Sequence, residues 1–139
     1  MEKIIRNQKG KTILEVLVVD DNYAWSIASD IRKVFNEEVK IDEADTVKKA
    51  IELCRTRNYY LILLDYNLDF NYELGGYNKG ERVALDIRKI FPKANIFGLS
   101  SSWNDELASS AGLNGYGSSK NDAIKYIKSL LTEKEGDNK

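Results

Sequence analysis

Carboxylate, hydroxyl and amine side chains follow four apolar segments of this 139-residue sequence, each at the point where the segment ends. The residues are Asp20 and Asp21, Asp65, Ser100 and Lys120. Carboxylates that lie close together repel one another unless a cation or a lysine neutralises them. A magnesium ion held by Asp21 and Asp65, with the Lys120 ammonium beside it, would form a cradle for a transferring phosphoryl group. Asp65 could then act as the nucleophile and form an acyl phosphate, which hydrolyses readily and suits a transient signal.

This chemistry requires the four segments to be strands that end at one edge of a sheet. The run from Tyr59 to Leu64 is apolar throughout, as expected for a strand that is covered on both faces. In an open α/β sheet, ligands bind beyond the carboxyl ends of the strands, which is where Asp65 would lie. Taken alone, Asp65 could equally start a turn, since Asp often bonds to nearby backbone there. The other strands are predicted at 13–19, 39–43, 94–99 and 113–119.

Segments with helical spacing of apolar residues alternate with these strands, a pattern typical of a parallel sheet with helices on both faces. In the first helix, Val34 belongs to the predicted buried stripe and Trp25 lies at its boundary. The second helix begins after a cap at Asp45 or Thr46. The helices are predicted at 23–35, from 47 onwards, and at 80–91, 103–111 and 121–131. We expect a single domain over residues 1–139, with a core at 13–131, a polar lead-in at 1–12 and a charged tail at 132–139.

Charge and composition exclude several classes of function. The sequence has 21 basic and 22 acidic residues, so no basic field exists that would hold DNA or RNA directly. It has no histidine, which excludes the usual hydrolase triads and zinc sites and leaves magnesium as the expected metal. Cys54 is the only cysteine and is predicted to be a small buried apolar side chain. The N-terminal residues are too polar for a signal peptide and no segment approaches membrane-spanning length, so we expect a cytoplasmic protein.

The motifs at the four strand ends resemble those of response-regulator receiver domains of two-component signalling. The matching segments are Val18 to Asn22, Leu63 to Asp65, Leu99 to Ser101, and Lys120. Each motif alone is weak, since apolar runs that end on Asp are common, but together and in this order they are specific. The resemblance extends from about Ile13 to Leu131. It implies a doubly wound, CheY-like α/β fold with five parallel strands in the order 2-1-3-4-5 and five helices.

The resemblance also implies a role for each candidate site residue. Asp65 would be the phosphoacceptor in a magnesium-dependent phosphorelay. Ser100 would be the switch hydroxyl that bonds the phosphoryl group, Lys120 would contact the phosphoryl oxygens, and Tyr116 would be the switch aromatic. The magnesium ligands would be Asp20, Asp21, Asp65 and the backbone carbonyl of Asn67.

Three features depart from the family pattern. The segment 66–79 is several residues longer than usual, which would make it either a tolerated surface insertion or a partner-specific lid. Asn121 follows Lys120 where the family commonly has proline, and because a cis bond before a non-proline residue costs about 3 kcal/mol, the geometry of this bond is open. Tyr116 lies one position further from the lysine than the usual aromatic. We expect a bulge at Gly117 to correct this, rather than a modified switch.

Three functional hypotheses follow. The first is a stand-alone receiver, not an enzyme in the usual sense, that a sensor histidine kinase, a phosphotransfer protein or a small acyl phosphate phosphorylates on Asp65. Its signal would leave through protein contacts on the surface of the fourth helix, fifth strand and fifth helix, including Trp103, Leu107 and Tyr116, and a homodimer could form there. The second is a degenerate receiver that binds partners without phosphorylation. The third, a haloacid-dehalogenase-type phosphohydrolase, is disfavoured because Asn67 stands where such enzymes carry a second Asp.

Overall fold

Strands and helices alternate along the part of the chain that the computed structural model describes, which is residues 5–6, 12–68 and 79–137. The strands are β1 (Ile5–Arg6), β2 (Thr12–Val19), β3 (Val39–Ala44), β4 (Leu61–Leu64), β5 (Ile96–Leu99) and β6 (Gly115–Gly117). The helices are α1 (Ala24–Phe35), α2 (Val47–Thr56), α3 (Gly80–Ile90), α4 (Asp105–Ala111) and α5 (Lys120–Asp137). A single 3-10 turn, Asn36–Glu38, leads from α1 into β3.

Five of the described strands run parallel in the order β3-β2-β4-β5-β6. Val19 lies opposite both Ala44 and Leu64, and Leu64 lies opposite Gly98, so β2, β3, β4 and β5 end close together. Counted among the parallel strands alone, this order is 2-1-3-4-5, which confirms the predicted doubly wound sheet. Among the described strands β3 pairs only with β2, as its charged residues predict for an edge position.

The two ends of the chain differ from the prediction. β1 pairs antiparallel with the start of β2, with Ile5 opposite Ile13 and Arg6 opposite Thr12. The polar composition of residues 1–12 gives no strand signal, and a two-residue strand is too short for periodicity to detect. At the other end, α5 continues to Asp137 instead of ending at Leu131. Its last turns carry no apolar stripe, so apolar spacing alone stops the predicted helix too early.

Helices cover both faces of the sheet, and each face has its own hydrophobic core. Successive residues of a strand point to opposite faces. In β4, Leu61 and Leu63 pack with α1 and α5, whereas Ile62 and Leu64 pack with α2 and α3. All four are buried, which explains why this strand reads as a continuous apolar run. Among the described helices, none is long and apolar enough to span a membrane.

Side-chain caps determine where two of the helices begin. Thr46 accepts a hydrogen bond from the Lys49 amide over 3.0 Å at the start of α2, as the sequence predicts. Asn104 accepts from the Leu107 amide over 2.9 Å at the start of α4. Gly112 ends α4 with φ of 69°, a left-handed conformation that glycine adopts without a Cβ penalty. The start of α4 at Asp105 therefore leaves Trp103 outside the helix.

Three apolar side chains lie elsewhere than predicted. Ile31 and Phe35 lie on the buried face of α1. The neighbouring Val34 points away from that face and is 45% exposed. Trp25 is 72% exposed rather than packed at the boundary of the core. Trp103, predicted to lie on the partner-binding surface, is only 5% exposed. That part of the prediction is wrong, because the residue sits in the connection before α4 and turns inward.

Cys54 provides a test of how α2 packs against the sheet. The residue is buried, and burial raises the pKa of its thiol to about 11. Because the thiolate is the reactive form, we expect the native protein to react with the thiol reagent DTNB at about pH 8 roughly 100-fold more slowly than the denatured chain. The denatured protein in guanidinium is the control. Equally rapid reaction of both forms would contradict the burial.

Candidate functional site

Three carboxylates lie together where β2 and β4 end. Val19 and Leu64 are paired across the two strands, so Asp20 and Asp65 follow at the same edge of the sheet. The Asp65 amide donates to the Val19 carbonyl over 3.0 Å, which extends the strand pairing into the site. One carboxylate oxygen from each of Asp20, Asp21 and Asp65 lies within 4.8 Å of the others. The structure thus brings these three residues together, as the sequence predicts.

Backbone amides hold the Asp20 carboxylate in place. Its Oδ1 accepts hydrogen bonds from the amides of Asn22, over 2.9 Å, and Tyr23, over 2.8 Å. The Asp20 amide donates to the carbonyl of Ala44 over 3.1 Å, and the residue is 6% exposed. An Asp side chain that bonds the backbone two and three residues ahead forms a tight turn. This turn leads directly into α1 and so gives the carboxylate one orientation.

Burial and repulsion both act on Asp65. Burial first, then the charges of Asp20 and Asp21, raise the pKa of Asp65 to about 6, while hydrogen bonds from the amides of Tyr66 and Asn67 oppose the shift. The Tyr66 amide donates to Oδ1 over 2.8 Å. A divalent cation would relieve this repulsion, and carboxylate oxygens are the donors that hard cations prefer. The residues present therefore fit a divalent cation such as Mg²⁺.

A cavity of about 510 Å³ opens beside the carboxylates. Its wall brings Asp65 together with Ser100 and Lys120, the two other residues predicted to act on a phosphoryl group. The cavity thus lies where the ends of β2, β4, β5 and β6 meet, at the edge that the strand-end motifs indicate. The remaining lining residues come from these strand ends and from the start of α1: Asp20, Tyr23, Ser26, Ile27, Leu99, Ser118 and Ser119.

Ser100 lies directly after β5, in a turn that leaves its hydroxyl proton available. The Ser100 amide donates to the Gly117 carbonyl over 3.0 Å and so extends the pairing of β5 with β6. Its Oγ accepts a hydrogen bond from the Ser102 amide over 3.1 Å. A hydroxyl that accepts through its oxygen still has its own proton to donate. Ser100 could therefore donate a hydrogen bond to an anion in the cavity.

Lys120 lines the cavity, but its ammonium has a different partner from the one predicted. Its Nζ donates a hydrogen bond to Asp30 on α1 and forms an ion pair with it. The hydrogen bond from Lys120 holds the pKa of Asp30 below its usual range. The sequence predicts that Lys120 helps to neutralise the carboxylate cluster, whereas here α5 packs beside α1 and brings Asp30 within reach. No cis peptide bond occurs among the described residues, so the bond from Lys120 to Asn121 is trans.

The pairing of β6 contradicts the predicted bulge at Gly117. All three β6 residues pair with β5 in unbroken parallel register, and Gly117 lies opposite Leu99. The Tyr116 side chain is 38% exposed, and its hydroxyl donates to Asp105 on α4. A Cβ at position 117, where the receiver pattern has its aromatic, would clash with Asp122. A modified aromatic position, the other alternative, agrees with this geometry.

Asn67 connects the end of β4 with the turn after β5. Its side-chain Nδ2 donates to the Ser102 hydroxyl over 3.1 Å, and its Oδ1 accepts from the Lys79 Nζ over 3.3 Å. The backbones of Asn67 and Lys79 also form an isolated antiparallel bridge. A metal-binding role for the Asn67 carbonyl stays a prediction. Most of the long segment predicted at 66–79, residues 69–78, lies outside the described residues.

Trp103 and two glycines form a buried contact beneath the site. The indole Nε1 donates to the Leu64 carbonyl over 3.0 Å, and the ring packs edge to face on Tyr66 with centroids 5.0 Å apart. Gly98 and Gly80 leave room for this ring, since a Cβ on them would lie 2.6 Å from Nε1 and 2.7 Å from Cζ2, respectively. A glycine inside a strand often marks such a close approach, which is the sequence signal that could have indicated the contact.

Known receiver domains have the same fold. The chain is similar to a CheY-like response regulator receiver domain protein from Methanospirillum hungatei JF-1, with a TM-score of 0.68 and 19% identity over 90% of this chain and 98% of that chain. The receiver domain of a Francisella response regulator gives a TM-score of 0.67 and 24% identity over 87% and 98% of the two chains. The sequence matches no protein-family model and no curated protein.

A third similar structure contains a modified site. It is a response regulator from Burkholderia pseudomallei with a phosphorylated aspartic acid, a calcium ion and citrate. It has a TM-score of 0.65 and 18% identity over 90% of this chain and 72% of that chain. The present chain therefore has the CheY-like receiver fold, and at the carboxyl edge of its sheet it carries an acidic cluster that could hold a divalent cation.

Asp65→Asn tests the repulsion within this cluster. Because the pKa of Asp65 is higher in the folded than in the unfolded chain, its ionised form destabilises the fold once the pH rises through about 6. In EDTA at about pH 7.5, we expect Asp65→Asn to raise the free energy of unfolding by about 1–2 kcal/mol, a value reduced for partial exposure. The gain should shrink as the pH falls through about 6 towards about 4, because the folded chain then holds Asp65 protonated and the repulsion is relieved.

Urea denaturation with and without magnesium makes the measurement. Glu52→Gln, an exposed acid on α2, is the matched control and should leave stability unchanged within about 0.5 kcal/mol. Magnesium should stabilise the wild type more than Asp65→Asn, because the substituted protein has lost one anionic ligand. An Asp65→Asn protein less stable than the wild type in EDTA would contradict the repulsion.

Proposed function

We propose that this protein is a response-regulator receiver that accepts a phosphoryl group on Asp65 and signals through phosphorylation-dependent protein contacts. The observation that carries the proposal is the cluster of Asp20, Asp21 and Asp65 beside a cavity that Ser100 and Lys120 also line. The donor is the phosphohistidine of a sensor kinase or phosphotransfer protein, or a small acyl phosphate. The phosphorylated aspartic acid in the structurally similar Burkholderia protein supports this assignment.

Asp65 is the nucleophile of the transfer. With a pKa of about 6, its carboxylate is mostly ionised at neutral pH, and the Tyr66 amide holds one of its oxygens. A carboxylate oxygen attacks phosphorus and forms a new P–O bond. The P–N bond to the donor imidazole breaks, and its electron pair leaves with the imidazole nitrogen. The product is an acyl phosphate on Asp65, which water later hydrolyses.

The surrounding residues stabilise the charge that arrives with the phosphoryl group. A magnesium ion, held by the three carboxylates and the Asn67 carbonyl, would neutralise part of this charge when bound. The Ser100 hydroxyl donates its proton to a phosphoryl oxygen while its own oxygen keeps the hydrogen bond from Ser102. The phosphoryl group adds nearly two negative charges, which draws the Lys120 ammonium away from Asp30 and towards the cavity.

The phosphorylation signal leaves by the surface of α4, β6 and α5. Tyr116 is exposed on this surface and bonds Asp105, the first residue of α4. Because α4 begins soon after Ser100, a movement of the Ser100 turn changes the start of this helix and its bond to Tyr116. The occupant of the surface is a downstream protein or a second copy of the chain.

A receiver that works without phosphorylation is the second candidate. Two observations favour it: the ammonium of Lys120 is paired with Asp30, and position 117 has no room for a switch aromatic. In that case the acidic cluster would be a remnant, and the protein would bind partners in one state only. The phosphorylation experiment below separates the two candidates.

Intact-protein mass spectrometry after incubation with acetyl phosphate and magnesium tests the primary proposal. The wild type should gain one labile phosphoryl group, whereas Asp65→Asn should gain none, because a carboxamide does not form an acyl phosphate. Chelation of magnesium should abolish the gain. If acetyl phosphate and a panel of histidine kinases all leave the wild type unmodified, the phosphorylation-independent candidate is correct.

Asp30→Asn tests whether the Asp30 carboxylate competes for Lys120. Removing this charge frees the ammonium for the phosphoryl group, so we expect phosphorylation by acetyl phosphate to become about two- to fivefold faster, the range expected for loss of an exposed ion pair. Glu37→Gln, an exposed acid beyond the end of α1, is the control and should keep the wild-type rate. Slower phosphorylation of Asp30→Asn would show that Asp30 instead holds Lys120 in a productive position.

A further inference from the structure

One buried side chain joins the turn after Ser100 to the strand end that carries Asp65. Trp103 follows Ser100 within the same turn, is 5% exposed, and donates its indole N–H to the Leu64 carbonyl over 3.0 Å. Leu64 immediately precedes Asp65 in the chain. This hydrogen bond therefore joins the turn that contains Ser100 to the residue that precedes Asp65.

The contact reaches the other side of Asp65 as well. Tyr66, the residue after Asp65, packs against the Trp103 ring at an interplanar angle of 80°. The ring lies in a slot that Gly80 and Gly98 keep open, where any added Cβ would collide with it. Buried indole N–H groups generally find an acceptor. Here the hydrogen-bond acceptor is on Leu64 and the ring contact is with Tyr66, the two chain neighbours of Asp65. A movement of this backbone therefore also moves the indole.

A second connection joins the same two segments nearer the surface. Asn67 donates to the Ser102 hydroxyl over 3.1 Å, and the Ser102 amide donates to the Ser100 Oγ over 3.1 Å. The bond between Asn67 and Ser102 is exposed, so water can replace either partner. The bond between Trp103 and Leu64 is buried, and a buried bond that opens leaves two unsatisfied polar groups. The indole bond is therefore the stronger constraint.

We propose that Trp103 is a positioning residue that couples the Ser100 turn to the strand end that carries Asp65. The inference rests on the proposed function, in which Asp65 accepts the phosphoryl group and Ser100 bonds it. Trp103 does not touch that group. Its indole sets the distance between Ser100 and Asp65 through Leu64, so that the hydroxyl meets the phosphoryl oxygen as the transfer proceeds.

Trp103→Phe removes the indole N–H and keeps an aromatic ring in the slot. We expect its rate of phosphorylation by acetyl phosphate with magnesium to fall about fivefold, as expected when one buried hydrogen bond is lost. Trp25→Phe alters the other, exposed tryptophan of the sequence and should keep the wild-type rate. Ile31→Val, buried in the core on the opposite face of the sheet, is the control for a general loss of stability.

The rates and the unfolding midpoints of the three variants are read together. A lower rate for Trp103→Phe, with a wild-type rate for an equally destabilised Ile31→Val, supports a positioning role. A wild-type rate for Trp103→Phe, or an equal slowing of Ile31→Val, overturns it and leaves Trp103 as core packing. Absence of phosphorylation in the wild type would overturn the proposed function alone, since the next measurement does not depend on phosphorylation.

Amide chemical shifts test the coupling directly. Asp65→Asn changes the charge at the strand end, and we expect the amide resonances of Ser100 and Ser102 to shift in response. In the Trp103→Phe background, the same Asp65→Asn change should shift these resonances less than half as far, because the connecting bond is absent. Equal shifts in both backgrounds, or no shift in either, would overturn the coupling whether or not Asp65 accepts a phosphoryl group.

Discussion

Parallel pairing of β2 with β4 forces three carboxylates into one place, and the rest of the site follows from that constraint. Val19 and Leu64 are opposite one another, so the acidic residues that follow them share one edge of the sheet. The strands cannot slip to relieve the repulsion, because a shift of one residue would turn buried apolar side chains from one core to the other. Repulsion is therefore maintained by the hydrophobic cores on both faces, and it adds to burial in raising the pKa of Asp65 to about 6.

The position of Lys120 leaves this negative charge largely uncompensated by the residues that line the cavity. Its ammonium is bound to Asp30 on α1, and the other described lining residues are acidic, neutral polar or apolar. A site with excess negative charge repels a phosphoryl donor unless a cation is bound first. Under the proposed function, cation binding would precede phosphoryl transfer, and the charge of the arriving phosphoryl group would then draw Lys120 away from Asp30.

The fold and the carboxylate cluster could be predicted because both depend on the backbone. Apolar runs that end on Asp20 and Asp65 specify buried parallel strands, and parallel strands bring their ends together. The partners of long side chains could not be predicted in this way. Lys120 reaches Asp30 across a helix interface that apolar spacing does not describe, and a glycine at position 117 permits either a bulge or the regular pairing that β6 makes with β5. Apolar spacing also begins the predicted α4 at Trp103, although the helix starts at Asp105.

The unusual geometry of β6 determines the route by which a change at Ser100 can reach the surface. In a strand with no side chain at position 117, movement cannot pass across β6 through an aromatic ring, and Tyr116 is already bonded to α4. Besides the hydrogen bond from the Ser100 amide to the Gly117 carbonyl, the route is the short connection from Ser100 into α4. Trp103 anchors that connection to β4 through its indole, and Asn104 anchors it to α4 through its cap. With two adjacent anchors, Ser100 cannot move far without either breaking the indole bond or displacing the start of α4, and displacement of α4 also alters the bond between Asp105 and Tyr116.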